Sequence, residues 1–249
     1  MNRLGRFLSS AAFNLFFHGW VAFLLLTVWL VLWLPPAKFR RFIELWPIGT
    51  NWALRTFCNI DIEVRGRENV PDGPAIFAVK HQSTWETAGL LLIVPHVAYA
   101  MKAELLKIPF WKWYMTRARH LSVDRKGGAS SLRKMIEDTQ EILDEGRSVV
   151  IFPEGTRTAP GERGAYHPGI AAMYSHLDVP VVPVALNSGL FWGRRTFLKS
   201  PGTIIVEFLP AMPADMKRKE FVAQLQDRIE TATRRLEAEG HAAARQLAN

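Results

Sequence analysis

His81 and Glu86 stand five positions apart in "AVKHQSTWETAG", residues 78–89, where an apolar strand-like run gives way to a helical pattern. A histidine with a carboxylate partner at a strand end is suited to proton transfer. Imidazole titrates near neutrality, and an acid beside it fixes its tautomer and stabilises its protonated form. The same spacing has a local reading, because Ser83 and Glu86 fit the S-x-x-E box that caps a helix. The two roles can coexist.

A second group of residues follows another strand. In "SVVIFPEGTR" the apolar run closes at Phe152, Pro153 ends its hydrogen bonding, and Gly155 permits a close ligand approach. Thr156 offers a hydroxyl, and Arg157 a planar fork suited to two phosphate oxygens, so the segment reads as an anion site. Lys102, ending "VAYAMK", is a further candidate for substrate binding, against the alternative of a solvated surface lysine. The chain has no G-x-x-x-x-G-K-[ST] loop, no G-x-G-x-x-G turn and no G-x-S-x-G elbow, which leaves nucleotide-dependent and serine acyl-enzyme chemistry without support. His81, His96 and His120 lack any metal-ligand spacing, and neither a metal nor a cofactor is expected.

These residues need a scaffold. "DIEVRG", "AIFAVK", "VAYAMK", "HLSVDR", "SVVIF", "VPVVPVAL" and "TIIVEFL" read as strands. Between them lie helical patterns: "STWETAGLLLIV", the amphipathic "ELLKIPFWKWYMTRAR", "SSLRKMIEDTQEILDEG" and "PGIAAMYSHL". In the third, Leu132, Met135, Ile136, Ile142 and Leu143 form one stripe and Gly146 is the stop signal. A charged helix from about Asp215 closes the chain, with "AEGHAAARQLAN" as its fraying end. The alternation predicts an α/β domain whose mixed, largely parallel sheet is flanked by helices, over residues 61–249.

Residues 1–60 read differently. "AAFNLFFHGWVAFLLLTVWLVLWL", Ala11 to Leu34, carries no charge, and as a helix it would be about 36 Å long, more than a ~30 Å hydrocarbon core. It is too long for a signal peptide and runs on into "WLPPAKFRRF" without a small-residue cleavage site. Arg3, Arg6, Lys38, Arg40, Arg41 and Arg55 oppose only Glu44, placing five of the formal +8 charges beside this segment. With both flanks basic, a helix that enters and returns keeps them on one, cytoplasmic side, which favours a monotopic two-helix membrane anchor over a single span. "RRFIELWPIGTNWALRTF" supplies the returning helix, with Trp46 and Trp52 as headgroup anchors and Pro47 as a break. The single cysteine, Cys58, excludes an intrachain disulfide and fits a reducing compartment. "LLKIPFWKWYMTRARH" mixes cations with aromatic rings as nucleic-acid surfaces do, but beside an apolar anchor it suits a lipid interface, and no nucleic-acid partner is expected.

Together "HQSTWE" and "FPEGTR" resemble two sequence blocks of the glycerolipid acyltransferases, in particular the 1-acylglycerol-3-phosphate acyltransferases. The family's first block is H-x-x-x-x-D, and Glu86 replaces its aspartate. "HLSVDR" is similar to the second block, with Arg125 matching its arginine, although Ala118-Arg119 stands where glycine is usual. "FPEGTR" matches the third unchanged, and "VVPVAL" around Pro183 corresponds to a fourth. The likeness runs from about Asp61 to Pro210. It implies the fold of that family and transfer of an acyl group from acyl-CoA or acyl carrier protein to a lysophospholipid, giving phosphatidic acid when the acceptor is 1-acylglycerol-3-phosphate. Another lysophospholipid or a lyso-aminolipid is the alternative acceptor. His81 would be the general base and Glu86 its partner, while Arg157 and Arg125 would hold the acceptor's phosphate. Glu154, in the matched block, is placed with the substrate site, orienting Arg157 or nearby amides, since an acid beside a phosphate would repel it. Backbone amides near Ser83 could receive the oxyanion.

Overall fold

The computed structural model describes residues 3–94, 96–107, 111–124 and 127–246. In chain order, α1 (Arg3–Thr27) and α2 (Pro36–Cys58) lead into β1 (Ile60–Arg65), β2 (Ile76–Val79), α3 (Trp85–Ile93), β3 (Ala98–Lys102) and α4 (Trp111–Ala118). There follow β4 (Leu121–Val123), α5 (Gly128–Asp144), β5 (Val149–Ile151), α6 (Pro168–His176), β6 (Val181–Leu186), β7 (Gly202–Phe208) and α7 (Arg218–Gln246). Among the described residues the strands form one seven-stranded sheet in the order β1-β7-β6-β2-β5-β3-β4, in which only the β6–β7 pair is antiparallel.

Period-two alternation with apolar residues on both sides explains why the central strands are buried on both faces. Phe77, Val79, Val150, Val182 and Val184 point into a core shared with Phe13 of α1, Leu54 of α2 and Trp85 of α3. Their neighbours Ile76, Ala78, Val149, Ile151 and Val181 point the other way, onto Met135 of α5, Ile170 of α6 and Phe221 of α7. The stripe expected on α5 faces this second core, and Gly146 follows the helix at φ +72°, where glycine is least strained.

Several expectations need correction. Pro47 does not break the returning helix: it sits inside α2. The one hydrogen bond a proline forfeits is outweighed by packing, with Phe39, Ile43, Ala53 and Leu54 buried and Trp20 Nε1 of α1 donating to Leu45 O at 3.1 Å. The segment read as one amphipathic helix is divided into a 3₁₀ turn, Ala103–Lys107, and the short α4, with residues 108–110 outside the described part. α7 does not fray at the start of "AEGHAAARQLAN": it continues to Gln246, and Gly240 lets Leu190 and Asn187 approach its backbone.

The first 60 residues share a core with the rest. Arg6 donates to Lys199 O at 2.9 Å and to Ser200 Oγ at 2.6 Å, Lys199 N donates to Ser10 Oγ at 2.9 Å, and Asn14 donates to Phe197 O at 3.0 Å. Phe13 and Phe17 pack edge-on against Trp192. α1 is therefore docked along the α/β domain from Arg6 to Phe17, roughly 17 Å of helix, and Trp20 beyond it is bonded to α2. The other side of α1 is bare, with Leu15 80% and Leu26 75% exposed, and in the turn that follows Trp33 is 80% exposed. Trp113 of α4, from the segment that mixes cations with aromatics, meets Trp29 edge-on at 4.2 Å, and Arg117 donates to Leu32 O, tying α4 to the α1–α2 connection.

Candidate active site

β2, β5 and β3 are parallel neighbours, so the segments leaving their carboxyl ends converge at one edge of the sheet. His81 follows β2, Phe152 to Arg157 follow β5, and Lys102 ends β3. Gly155 adopts φ +63°, turning the chain back so that Thr158 N donates to His81 O at 2.9 Å. The loop after β5 is thus bonded to the loop after β2. Phe152 lies flat against the His81 ring, centroids 3.9 Å apart.

His81 Nδ1 is 2.7 Å from Glu86 Oε2, and the Glu86 side chain is fully buried while that of His81 is 14% exposed. Glu86 also performs the capping role. Ser83 N donates to both its oxygens at 2.8 and 2.9 Å, and Gln82 N to Oε2 at 3.3 Å. Ser188 Oγ donates to Oε1. The hydroxyl half of the box is displaced by one residue, because Ser83 Oγ accepts from Trp85 N at 3.1 Å and α3 begins only at Trp85. The amides of Gln82 and Ser83 and the Ser188 hydroxyl all donate to Glu86, which leaves it an acceptor toward His81 as well. Nδ1 of His81 then carries the proton, leaving the lone pair of Nε2 for chemistry. The amides of Gln82 and Ser83 are occupied by Glu86 and that of His81 by Glu154, so these three are not available as oxyanion donors.

His81 opens into a cavity of about 360 Å³ that also takes in Thr84, Lys102, Phe152, Gly155, Thr156 and Arg157. Arg194 and Arg195 stand at the same cavity, and no carboxylate is among its described lining residues. Arg157 donates to Thr84 Oγ1, and Arg194 Nη1 donates to Arg157 O at 3.0 Å. Burial pushes Arg157 below the usual guanidinium range; Glu86 opposes this, and Arg194 and Arg195 add to it. An anion seated there would relieve the crowding of positive charge.

The sequence-derived residues separate into groups. His81, Gly155, Thr156, Arg157 and Lys102 meet at the cavity, with Glu86 directly behind His81. Arg125 lies outside the described residues. Glu154 turns inward, away from any substrate: its oxygens take Lys80 Nζ at 2.6 Å and His81 N at 3.0 Å, and it makes no bond to Arg157. A buried acid beside a buried lysine is held there by charge pairing, so its position is structural support for His81. Trp46, expected at the lipid headgroups, forms part of the cavity wall instead, while Trp52 is 53% exposed. Ser188, Arg194 and Arg195 were not foreseen. "GRRT" offered a signal for the arginines as a paired charge beside turn residues, whereas nothing near Ser188 marked it.

A histidine–carboxylate pair at the carboxyl edge of a mainly parallel sheet, facing a cationic cavity, defines an α/β enzyme whose site suits an anionic substrate. The chain belongs to the Acyltransferase family, whose model matches residues 61–187, and it is an acyltransferase, as its four blocks implied. It is 36% identical over 194 residues to the 1-acyl-sn-glycerol-3-phosphate acyltransferase of Pseudomonas aeruginosa, covering 78% of this chain and 76% of that protein. With the 1-acyl-sn-glycerol-3-phosphate acyltransferase alpha of Ovis aries it is 29% identical over 225 residues, 86% of this chain and 75% of that one. The crystal structure of the 1-acyl-sn-glycerophosphate (LPA) acyltransferase from Thermotoga maritima shares the fold, with a TM-score of 0.70 at 24% identity over 96% of this chain and 100% of that one.

Proposed function

We propose that the enzyme transfers an acyl group from a thioester donor, acyl-CoA or acyl carrier protein, to the free hydroxyl of 1-acylglycerol-3-phosphate, giving phosphatidic acid. His81 Nε2 removes the hydroxyl proton as the oxygen attacks the thioester carbonyl, and Glu86 stabilises the imidazolium that forms. Collapse of the tetrahedral intermediate expels a thiolate, a good leaving group with a thiol pKa near 8.5, which takes up the proton. No covalent enzyme intermediate or cofactor is needed. The observation that carries the reading is the 2.7 Å bond between His81 Nδ1 and Glu86, which leaves Nε2 as the ring nitrogen open to substrate.

The acceptor is read from charge. Lys102, Arg157, Arg194 and Arg195 at the cavity match a phosphate, which favours a lysophospholipid over a lyso-aminolipid without one. The anchor is read from docking. With Arg6 to Phe17 packed along the α/β domain, what remains of α1 is too short to cross a bilayer, and the bare side of α1 suits a helix lying in one leaflet. The basic flanks favour the cytoplasmic face of the cytoplasmic membrane.

Purified enzyme incubated with acyl-CoA and a panel of lysolipids, following free thiol and lipid product together, tests the assignment. Thiol release matched by phosphatidic acid and dependent on 1-acylglycerol-3-phosphate is expected. Thiol release matched by free fatty acid, with no need of an acceptor, would make the enzyme a hydrolase.

A further inference from the structure

The stretch Lys80 to Thr84 links β2 to α3 and carries His81; past the bond from Lys80 N to Val184 O of β6 at 3.0 Å, no sheet or helix ladder fixes its shape. Lys80, Gln82 and Ser83 are completely buried. Among the described residues, four carboxylates hold this stretch: Glu86 and Glu154, already described, and Glu230 and Glu237 of α7. Glu230 and Glu237 are seven residues, or about two helical turns, apart, so they project from one face of α7. Both lie beyond the 61–187 segment that matches the family model.

Their contacts lead to His81 by two routes. Lys80 Nζ donates to Glu154 Oε1 at 2.6 Å, Glu230 Oε1 at 2.8 Å and Glu162 O at 3.1 Å, which uses all three ammonium protons. Glu154, thus fixed, takes His81 N on its other oxygen. Along the second route, Gln82 Nε2 donates to Glu237 Oε1 at 2.6 Å while Gln82 Oε1 accepts from Gly189 N at 3.1 Å. Gly189 follows Ser188, the donor to Glu86. α7 also fastens the loop after the PEGTR segment, with Gly161 N donating to Glu237 Oε2 at 3.1 Å and Gln226 Nε2 to Gly164 O at 2.9 Å.

Stability does not account for this arrangement. Burying charges is expensive, and a buried ion pair or triad is often replaced by apolar residues of similar volume with no loss of stability. Burial pushes the Glu230 carboxyl up, with Lys80 opposing that shift. What such a network supplies is direction, because a lysine held between two carboxylates cannot recentre on either. A general base, in turn, needs its nitrogen placed within a fraction of an ångström of the productive position.

We propose that Glu230 and Glu237 are positioning residues for His81, so that α7 sets the geometry of proton transfer without touching substrate. The proposal rests on His81 being the base. Glu230→Ala and Glu237→Ala in the full chain, assayed for thiol release and phosphatidic acid per folded enzyme, should each lower kcat about tenfold or more while the acceptor KM stays within about twofold. A smaller loss of kcat in both, or a loss confined to KM, overturns the proposal even if the melting temperature falls. Should an alanine variant fail to fold, Lys80→Met/Glu230→Met and Gln82→Met/Glu237→Met fill the space with apolar side chains, and the same kcat criterion applies. His81→Ala run in parallel separates the two ideas. If it stays active the base assignment has failed; if it is dead while the α7 variants keep full kcat, only the positioning role has failed.

Discussion

Glu86 caps the turn into α3 and, in the proposed function, is also the counter-charge of His81; an isosteric change separates the two roles. In Glu86→Gln the amide nitrogen can face Ser188, whose hydroxyl can turn to accept, but it also replaces the oxygen that took Ser83 N at 2.8 Å; the remaining oxygen keeps Ser83 N at 2.9 Å, Gln82 and His81. We expect a loss of about 1–2 kcal/mol of stability and a fall in kcat of ~10²-fold, since imidazolium loses its counter-charge. Thermal midpoint and single-turnover rate, measured together, check this; an unchanged rate would leave Glu86 as a cap alone. Arg157→Ala should raise the acceptor KM by about 10- to 100-fold with the donor KM little changed, the scale of a lost charged hydrogen bond. An unaltered acceptor KM and kcat/KM would remove Arg157 from the anion site. His81, Glu86, Gly155, Thr156 and Arg157 were legible because each follows a strand end in a short chemical pattern. Lys80, Ser188 and Glu230 were not, because their roles come from contacts across the fold: Ser188 meets Glu86 at a separation of 102 residues, and Glu230 meets Lys80 at 150.

At the scale of elements, the strands were readable because both-sided burial leaves near-continuous apolar runs. Helix limits were less so. Pro47 is tolerated because α2 is packed along its length, a tertiary effect no local pattern reports. α7 runs further than its small, polar end suggested, with Gly240 packed against Leu190. The docking of α1 centres on Lys199, which is 1% exposed, donates to Asn14 Oδ1, Thr196 O and Phe197 O, and lies 5.3 Å from the rings of Phe13 and Trp192. Burial pushes its pKa from 10.5 down to about 8. Between those values the unfolded chain holds a proton that the folded chain has released, so stability rises with pH across that window; below about pH 8 the full cost of the buried charge is present. The melting temperature of wild type should therefore rise relative to Lys199→Met as pH goes from about 8 to 10.5. A constant difference would mean that Lys199 titrates as it does in the unfolded chain.

For the molecule as a whole, the bare side of α1 and the turn after it are the apolar surface that the proposed function sets against lipid. Leu26 and Trp33 are exposed and support no core, so Leu26→Glu/Trp33→Glu should fold normally and lose membrane affinity. Each withdrawn side chain is worth roughly 1.5–3 kcal/mol of apolar burial, which predicts at least a tenfold weaker partition onto anionic vesicles in a sedimentation assay. Undiminished binding would place the lipid contact elsewhere. Removing residues 1–60 is a harsher change, for it strips Phe13, Ala53 and Leu54 from the core under the sheet, and the remainder should aggregate.

The proposed reaction depends on His81. Its ring is partly exposed and its main-chain bonds survive truncation, so His81→Ala should keep the wild-type fold by circular dichroism and thermal midpoint. With the base gone, transfer from acyl-CoA to 1-acylglycerol-3-phosphate, read as phosphatidic acid formed in a single turnover, should fall by ~10²- to 10⁴-fold. A folded His81→Ala enzyme that retains more than about a tenth of the wild-type rate would contradict general-base catalysis by this residue.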